Sequence, residues 1–302
     1  MRSRPYDLKE TIMADYSIWV LEYATSPRHP VSGVLYGRHN QGTMNLPFAY
    51  TLVKSRDTVA IVDVGYNAAD FGGEIAASIG VENWAAPAEV LAECGIKPED
   101  VQHAFITHAH FDHMGGLNFF PNATFYIQEK ELASWVWAIS KGRRFRFLMG
   151  GINPADIMRL VDLGVEGRLV SINGYCANVI SGIDLVPAFD THTAGSQYVV
   201  VTSGESSDQV WVLSGDVVYT YANLQGEDAA DPHFVPPGLA TGSQTNLILA
   251  AAEMIERVGG ELRRIVPVHE DRLKENFPSR ISNRGLRITE VALAKGETSR
   301  VN

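Results

Sequence analysis

Three histidines and an aspartate fall within six positions in the run His108-Ala-His110-Phe-Asp112-His113. The residues before it, Phe105-Ile-Thr, are apolar or β-branched. They predict a strand that delivers His108 and His110 at i and i+2, with both rings on one side of the extended chain. The chain then turns, and Asp112 and His113 enter the first turn of a helix that Gly115 and Gly116 allow to pack closely beneath them. A lone histidine on an apolar face is ordinarily a packed core residue. Four such groups together are not explained that way, because neutral imidazoles crowded beside a buried carboxylate lack partners unless a cation is present. The run therefore reads as a metal-binding segment able to serve two neighbouring cations.

The pattern resembles the HxHxDH signature of the metallo-β-lactamase superfamily, and four further segments resemble its other elements in the family order, over about 48–271. Ile61-Val-Asp63-Val-Gly65 resembles an early motif whose aspartate supports the ligands from behind. Asp190-Thr-His192-Thr-Ala-Gly-Ser196 resembles the loop of the third histidine, and Ser214-Gly-Asp216 the turn of the bridging aspartate. Ile265-Val-Pro-Val-His269 resembles the final histidine at the end of a late strand. The resemblance implies that His108, His110 and His192 hold one ion. Asp112, His113 and His269 would hold a second, with Asp216 bridging and Asp63 behind. Imidazole and carboxylate ligands suit Zn²⁺ and leave iron, cobalt and manganese open.

Two cations about 3.5–4 Å apart can ready a hydroxide between them and polarise an electrophile, so hydrolytic attack on a carbonyl is the expected chemistry. By the same resemblance, Asp112 passes a proton to the leaving group. Tyr219, three residues after Asp216, resembles a tyrosine of the N-acyl-homoserine lactone lactonases that projects towards the substrate carbonyl. A phenol there can donate to a forming oxyanion; the bland reading is an aromatic that merely packs at a strand end. Asn45-Leu-Pro-Phe-Ala-Tyr-Thr-Leu-Val53 and Phe111 also fit those lactonases. The expectation is a lactonase, acting on an N-acyl-homoserine lactone or another small lactone. Val268, where glycine is typical, leaves a more compact or aromatic lactone open. The alternative is a thioesterase or a cyclic amide or lactam hydrolase using the same dinuclear site. Reduction of oxygen or nitric oxide would need an electron-delivery module, of which the sequence carries no sign.

Apolar runs of four to six residues, bounded by Gly, Pro, Asp or Ser, supply the strands that must position these groups. They include Ile18–Leu21, Phe48–Val53, Val59–Val64, Ala104–Thr107, Thr124–Gln128, Ile183–Val186, Tyr198–Thr202, Val210–Leu213 and Ile265–Val268. Helical patterns span Pro87–Cys94, stopped by Gly95, and Gln244–Val258, stopped by Gly259-Gly260. Together they predict an α/β chain: an αββα sandwich of two mixed β-sheets flanked by helices, a single domain over 1–302. Within it, 130–174 reads as a helical, aromatic-rich insertion. Trp135, Trp137 and Phe147 from that insertion, with Phe111 and with His233 from a Pro-rich loop, are the candidate pocket residues. Of nine histidines, His29, His39 and His103 are then left as surface or packing residues.

The chain of 302 residues is 45% hydrophobic, enough for a core that holds a rigid site. Its 25 basic against 35 acidic residues give a net charge of −10, which argues against a nucleic-acid partner. The one tight basic cluster, Arg143, Arg144 and Arg146, reads as a solvated face or local clamp. Cys94 and Cys176 share no short spacing and read as free thiols. The N-terminus lacks the apolar stretch of a signal peptide and no window reaches the length of a membrane span. The expectation is a cytoplasmic protein acting on a small molecule, with no membrane partner and a homodimeric assembly.

Overall fold

Residues 14–204, 209–228 and 230–302 are described in the computed structural model. The β-branched and aromatic runs form thirteen strands among the described residues. In chain order they are β1 (Ser17–Pro30), β2 (Thr43–Lys54), β3 (Val59–Val62), β4 (His103–Phe105), β5 (Thr124–Gln128) and β6 (Leu169–Ile172). There follow β7 (Cys176–Ile180), β8 (Ile183–Pro187), β9 (Gln197–Ser203), β10 (Gln209–Leu213), β11 (Ile265–Val266), β12 (Ser279–Ile281) and β13 (Arg287–Ala292). One sheet has the order β12-β13-β1-β2-β3-β4-β5-β6 and the other β11-β10-β9-β8-β7. The first is parallel from β3 to β6 and antiparallel elsewhere. The second is antiparallel except for β10 with β11. Both sheets are mixed.

The first sheet is buried on both faces, and the alternation of its side chains divides them between two cores. Ile18, Val20, Val53, Val62 and Phe105 join Leu185, Val199, Val201 and Val212 of the second sheet. Trp19, Leu21, Leu52, Ile61 and Ala104 turn the other way. They meet Val90 and Leu91 of the helix Pro87–Ala92 and Leu160 and Leu163 of the helix Pro154–Val165. The helix Gln244–Arg257 buries Leu247, Ala251 and Met254 against the second sheet's core, the i, i+4, i+7 spacing of one helical face. The layering is helix, sheet, sheet, helix.

The 130–174 stretch is not wholly an insertion. It contains most of the helix Glu129–Ile139, the tight turns Arg143–Met149 and the helix Pro154–Val165, but it ends in β6, which pairs in parallel with β5 at the edge of the first sheet. Asn153 caps the Pro154–Val165 helix by accepting from Ala155 N, and Pro154 occupies its first turn, where no donor is lost. Cys94 is buried, Cys176 half-buried, and both are free thiols. Among the described residues no helix is long and apolar enough to cross a membrane.

Candidate metal centre

Parallel pairing of β3 with β4, in register Val62 with Phe105, releases Asp63 and Thr107-His108 side by side beyond the strand ends. β8 ends at Pro187 ahead of the His192 loop, β10 at Leu213 ahead of Asp216, and β11 at Val266 ahead of His269. Loops from both sheets thus bring the seven candidate ligands together.

Their polar atoms fall into two clusters, each with its ligand atoms within 4.8 Å of one another. In the first, His110 Nδ1 lies 3.0 Å from His108 Nε2 and 2.9 Å from His192 Nε2. Asp216 stands between the clusters. Its Oδ2 is 3.7 Å from His108 Nε2 and 3.3 Å from His192 Nε2, and its Oδ1 is 3.1 Å from both His113 Nε2 and His269 Nε2. Asp112 Oδ2 completes the second cluster, 3.3 Å from His113 Nε2 and 3.8 Å from His269 Nε2.

These residues fit a pair of divalent ions. Nitrogen ligands about 2.0–2.1 Å from one tetrahedral ion lie about 3.3 Å from one another, close to the spacing found. His113 Nε2 and Asp216 Oδ1 are buried and face each other without a hydrogen bond, although each needs a partner. Burial pushes the imidazoles of His108, His110 and His192 down, His192 to about 3, so each is neutral with a lone pair to give. Burial also pulls at His113, but the carboxylates of Asp216, Asp112 and Asp63 hold it well above its ordinary value. They create a demand for positive charge that a cation satisfies.

The outward nitrogens of three ligands are fixed from behind. His269 Nδ1 donates to Pro47 O at 2.7 Å and His113 Nδ1 to Asp63 Oδ2 at 2.7 Å. His108 Nδ1 donates to Thr107 Oγ1 at 3.0 Å, and that hydroxyl donates to Asp63 at 2.9 Å. Each bond leaves Nε2 bare towards the site.

Glu131, fully buried on the inner face of the Glu129–Ile139 helix, ties two ligand loops to each other. Its Oε1 accepts from Ala109 N, between His108 and His110, at 2.8 Å. Its Oε2 accepts from Thr193 Oγ1 at 2.7 Å and Gly195 N at 2.8 Å, beyond His192. Gly195 permits this contact, since a Cβ there would stand 2.1 Å from Glu131 N. Sequence reasoning missed Glu131. The available signal was an acid on the helix face that buries Trp135, four residues on.

A profile of the Metallo-beta-lactamase superfamily matches residues 49–258. The chain belongs to the metallo-β-lactamase superfamily. Curated relatives include probable metallo-hydrolases of Mycobacterium bovis and Mycobacterium tuberculosis, each 30% identical over 205 residues, covering 62% of this chain and 63% of the relative. The matched part is thus less than two thirds of those relatives' length. Among solved structures, a probable metal-dependent hydrolase from Staphylococcus aureus is 19% identical with a TM-score of 0.63, over 86% of this chain and 91% of that one. An N-acyl homoserine lactone hydrolase with N-hexanoyl-L-homoserine bound at its catalytic metal centre is 17% identical with a TM-score of 0.59, over 87% and 96%. The dizinc quorum-quenching lactonase AidC is 16% identical with a TM-score of 0.61, over 91% and 94%. At such identities the likeness is one of fold.

The metallo-β-lactamase site opens into a pocket of about 450 Å³ whose apolar walls include Leu46, Phe48, Ile79, Phe111 and Leu239. Phe147 stands exposed at its rim. Tyr219 also lines it, with its ring 5.0 Å from that of His269 and 5.6 Å from that of His192. The other expected pocket residues lie elsewhere. Trp135 is buried behind the site, its ring edge-on to His110 at 5.7 Å and its indole N–H donating to Glu131. Trp137, two positions on, comes out about 200° round the helix, half-exposed beneath the Lys141 ammonium. His233 is half-exposed and its Nδ1 bonds Asp231 O at 2.7 Å, away from the pocket. His29, expected as a surface or packing residue, instead lines the pocket.

Proposed function

We propose that this protein is a metal-dependent hydrolase that opens a lactone ring. The observation that carries this reading is Tyr219, a phenol set against both metal clusters in a pocket with largely apolar walls. The solved lactonases of the same fold are consistent with it. When bound, the two divalent ions supply Lewis acidity, drawing the pKa of water towards neutrality and polarising the ester carbonyl.

The chain's own groups do the rest. Burial pushes the Tyr219 phenol well above its ordinary value, and the charge of Asp216 adds to this, so it stays a donor at neutral pH. It is placed to donate to the carbonyl oxygen as negative charge develops there. Asp112 lines the pocket; burial pushes its carboxyl up, but His113 outweighs this and the net direction is down. It is thus a carboxylate able to take a proton from the attacking water and return it to the ring oxygen as the C–O bond breaks. The product is a hydroxy acid. Leu46, Phe48 and Phe111 keep other water away.

The test is a hydrolysis screen of the zinc- and cobalt-loaded protein over lactones, thioesters and lactams, following acid release with a pH indicator. Turnover of lactones above the other classes is expected; preference for thioesters or lactams would replace the reading. Tyr219→Phe should lower kcat on the best substrate by about 10²-fold, with metal content unchanged. An unaltered kcat would remove the role given to the phenol.

A further inference from the structure

His29 is 4% exposed, and neither of its ring nitrogens has a hydrogen-bond partner among the described residues. A buried polar atom left unpaired is destabilising, and here two occur on one ring. The backbone is nonetheless shaped to put it there. β1 reaches His29 through two irregularities in its pairing with β2, at Glu22/Ala24 and Ser26/His29. Gly33 leaves room for the ring in this position, since a Cβ there would stand 2.6 Å from His29 Nε2 and displace it.

The ring lines the metal pocket among Leu46, Phe48, Ile79 and Leu239. The other polar lining groups outside the metal clusters are engaged or already given a role. Ser78 donates to Ile75 O and Thr241 donates to His192 O, while the Tyr219 phenol is the group assigned above to the reacting carbonyl. Remote from the metal clusters, His29 is the lining residue whose polar side-chain atoms have no partner among the described residues. It also borders an adjoining surface cleft with Arg28, His39 and Glu82, so a ligand reacting at the metals has room to extend past it. Burial, with the charge of His269, lowers this imidazole to about 4 against the opposing pull of Asp112. It is therefore neutral at physiological pH, offering one N–H and one lone pair, with no charge to hold an anion.

We propose that His29 is a specificity-determining residue, hydrogen-bonding a neutral donor–acceptor group of the substrate, an amide or a hydroxyl, on the part remote from the reacting carbonyl. This rests on the hydrolase reading above. The test compares two lactones on the metal-loaded full chain: N-hexanoyl-homoserine lactone, which carries an amide, and γ-decalactone, which does not. His29→Leu should lower kcat/KM for the amide-bearing lactone by about 5–10-fold, chiefly through KM, and leave the alkyl lactone unchanged or improved. His29→Gln, which keeps a neutral donor and acceptor, should recover part of the loss. His29→Leu should also raise Tm by about 2 °C or more, because two unpartnered atoms leave an apolar wall. Equal losses on both lactones, no loss on either, or a lower Tm would overturn the inference. If the wild type opens neither lactone, the lactonase reading fails on its own. The His29 comparison then runs on the ester or thioester class that the enzyme does cleave, with and without an amide in the acyl chain, and the same outcomes decide it.

Discussion

Asp63 is fully buried and sits at φ 62°, a left-handed conformation that costs most residues free energy but that Asp and Asn tolerate. The conformation aims its carboxylate at the backs of two ligands. Oδ2 accepts from His113 Nδ1, and Thr107 relays the same carboxylate to His108. Asp63→Asn keeps the shape and the backbone. The amide has one oxygen for two donors, His113 Nδ1 and Thr107 N, so its NH2 opposes one of them or accommodates the other His113 tautomer, which puts the proton on Nε2 and removes a ligand lone pair. The expected outcome is a folded protein whose second ion binds about 10–100-fold more weakly, while the His108–His110–His192 ion is less affected. Chelator competition on the purified variant measures this, and two ions held as tightly as in the wild type would refute it. At this scale much was legible. The ligands and Asp63 are polar residues at the ends of apolar runs, and such residues are conspicuous. Glu131 and His29 were hidden because their meaning depends on partners present or missing across the fold: Glu131 bonds backbone 22 and 64 positions away, and the His29 ring has no hydrogen-bond partner among the described residues.

The element that delivers Asp112 and His113 is a single helical turn, Phe111–Met114, too short to hold itself by helical bonds alone. It is secured by the extension of β3. Val64 N donates to His113 O at 2.8 Å and Gly116 N to Gly65 O at 2.9 Å. Gly116 has φ −89°, open to any residue, so its requirement is one of space. A Cβ there would meet Val64 O at 2.0 Å. Gly116→Ala should force the turn away from Asp63 and destabilise the protein by about 1–3 kcal/mol, a fall of several degrees in Tm measured with chelator present so that metal affinity does not contribute. An unchanged Tm would show that the turn gives way freely. The pair of glycines beneath the site was readable because close packing was the evident reason for it. Other elements were not. β13 lies between β12 and β1 yet carries Arg287 and Glu290, which break its apolar pattern. Glu290 is buried there because it accepts from the Trp19 indole at 3.2 Å. β7 contains Ala177 and Asn178, weak strand formers, and is held as a strand by its pairing with β8. In each case a neighbouring strand supplies what the local sequence lacks.

For the molecule as a whole, an excess of ten negative charges makes stability sensitive to pH through many groups at once. One group can be separated from that background. Asp156, at the N-terminal turn of the Pro154–Val165 helix, is 7% exposed; its Oδ1 accepts from Asn153 Nδ2 at 3.3 Å and its Oδ2 has no partner among the described residues. Burial, with the charge of Asp70 adding, raises its carboxyl to about 7. In the unfolded chain an aspartate titrates near about 3.9. Between those values the folded state holds a proton that the unfolded state has released, so stability falls as pH rises through this window and is level above it. Asp156→Asn keeps the acceptor to Asn153 and removes the titration. Linkage sets a ceiling of about 4 kcal/mol on the gain at pH 8, and local rearrangement that lets water reach the ionised carboxylate reduces it to about 1–2 kcal/mol. Thermal melts of wild type and variant, both with chelator, should show a gain of a few degrees at pH 8 and almost none at pH 4. A gain of the same size at both would mean that Asp156 does not hold the proton. The gain belongs to the helix whose N-cap, Asn153, stands two residues after Gly151, the residue whose carbonyl accepts from Phe111 N at 2.7 Å beside the metal site.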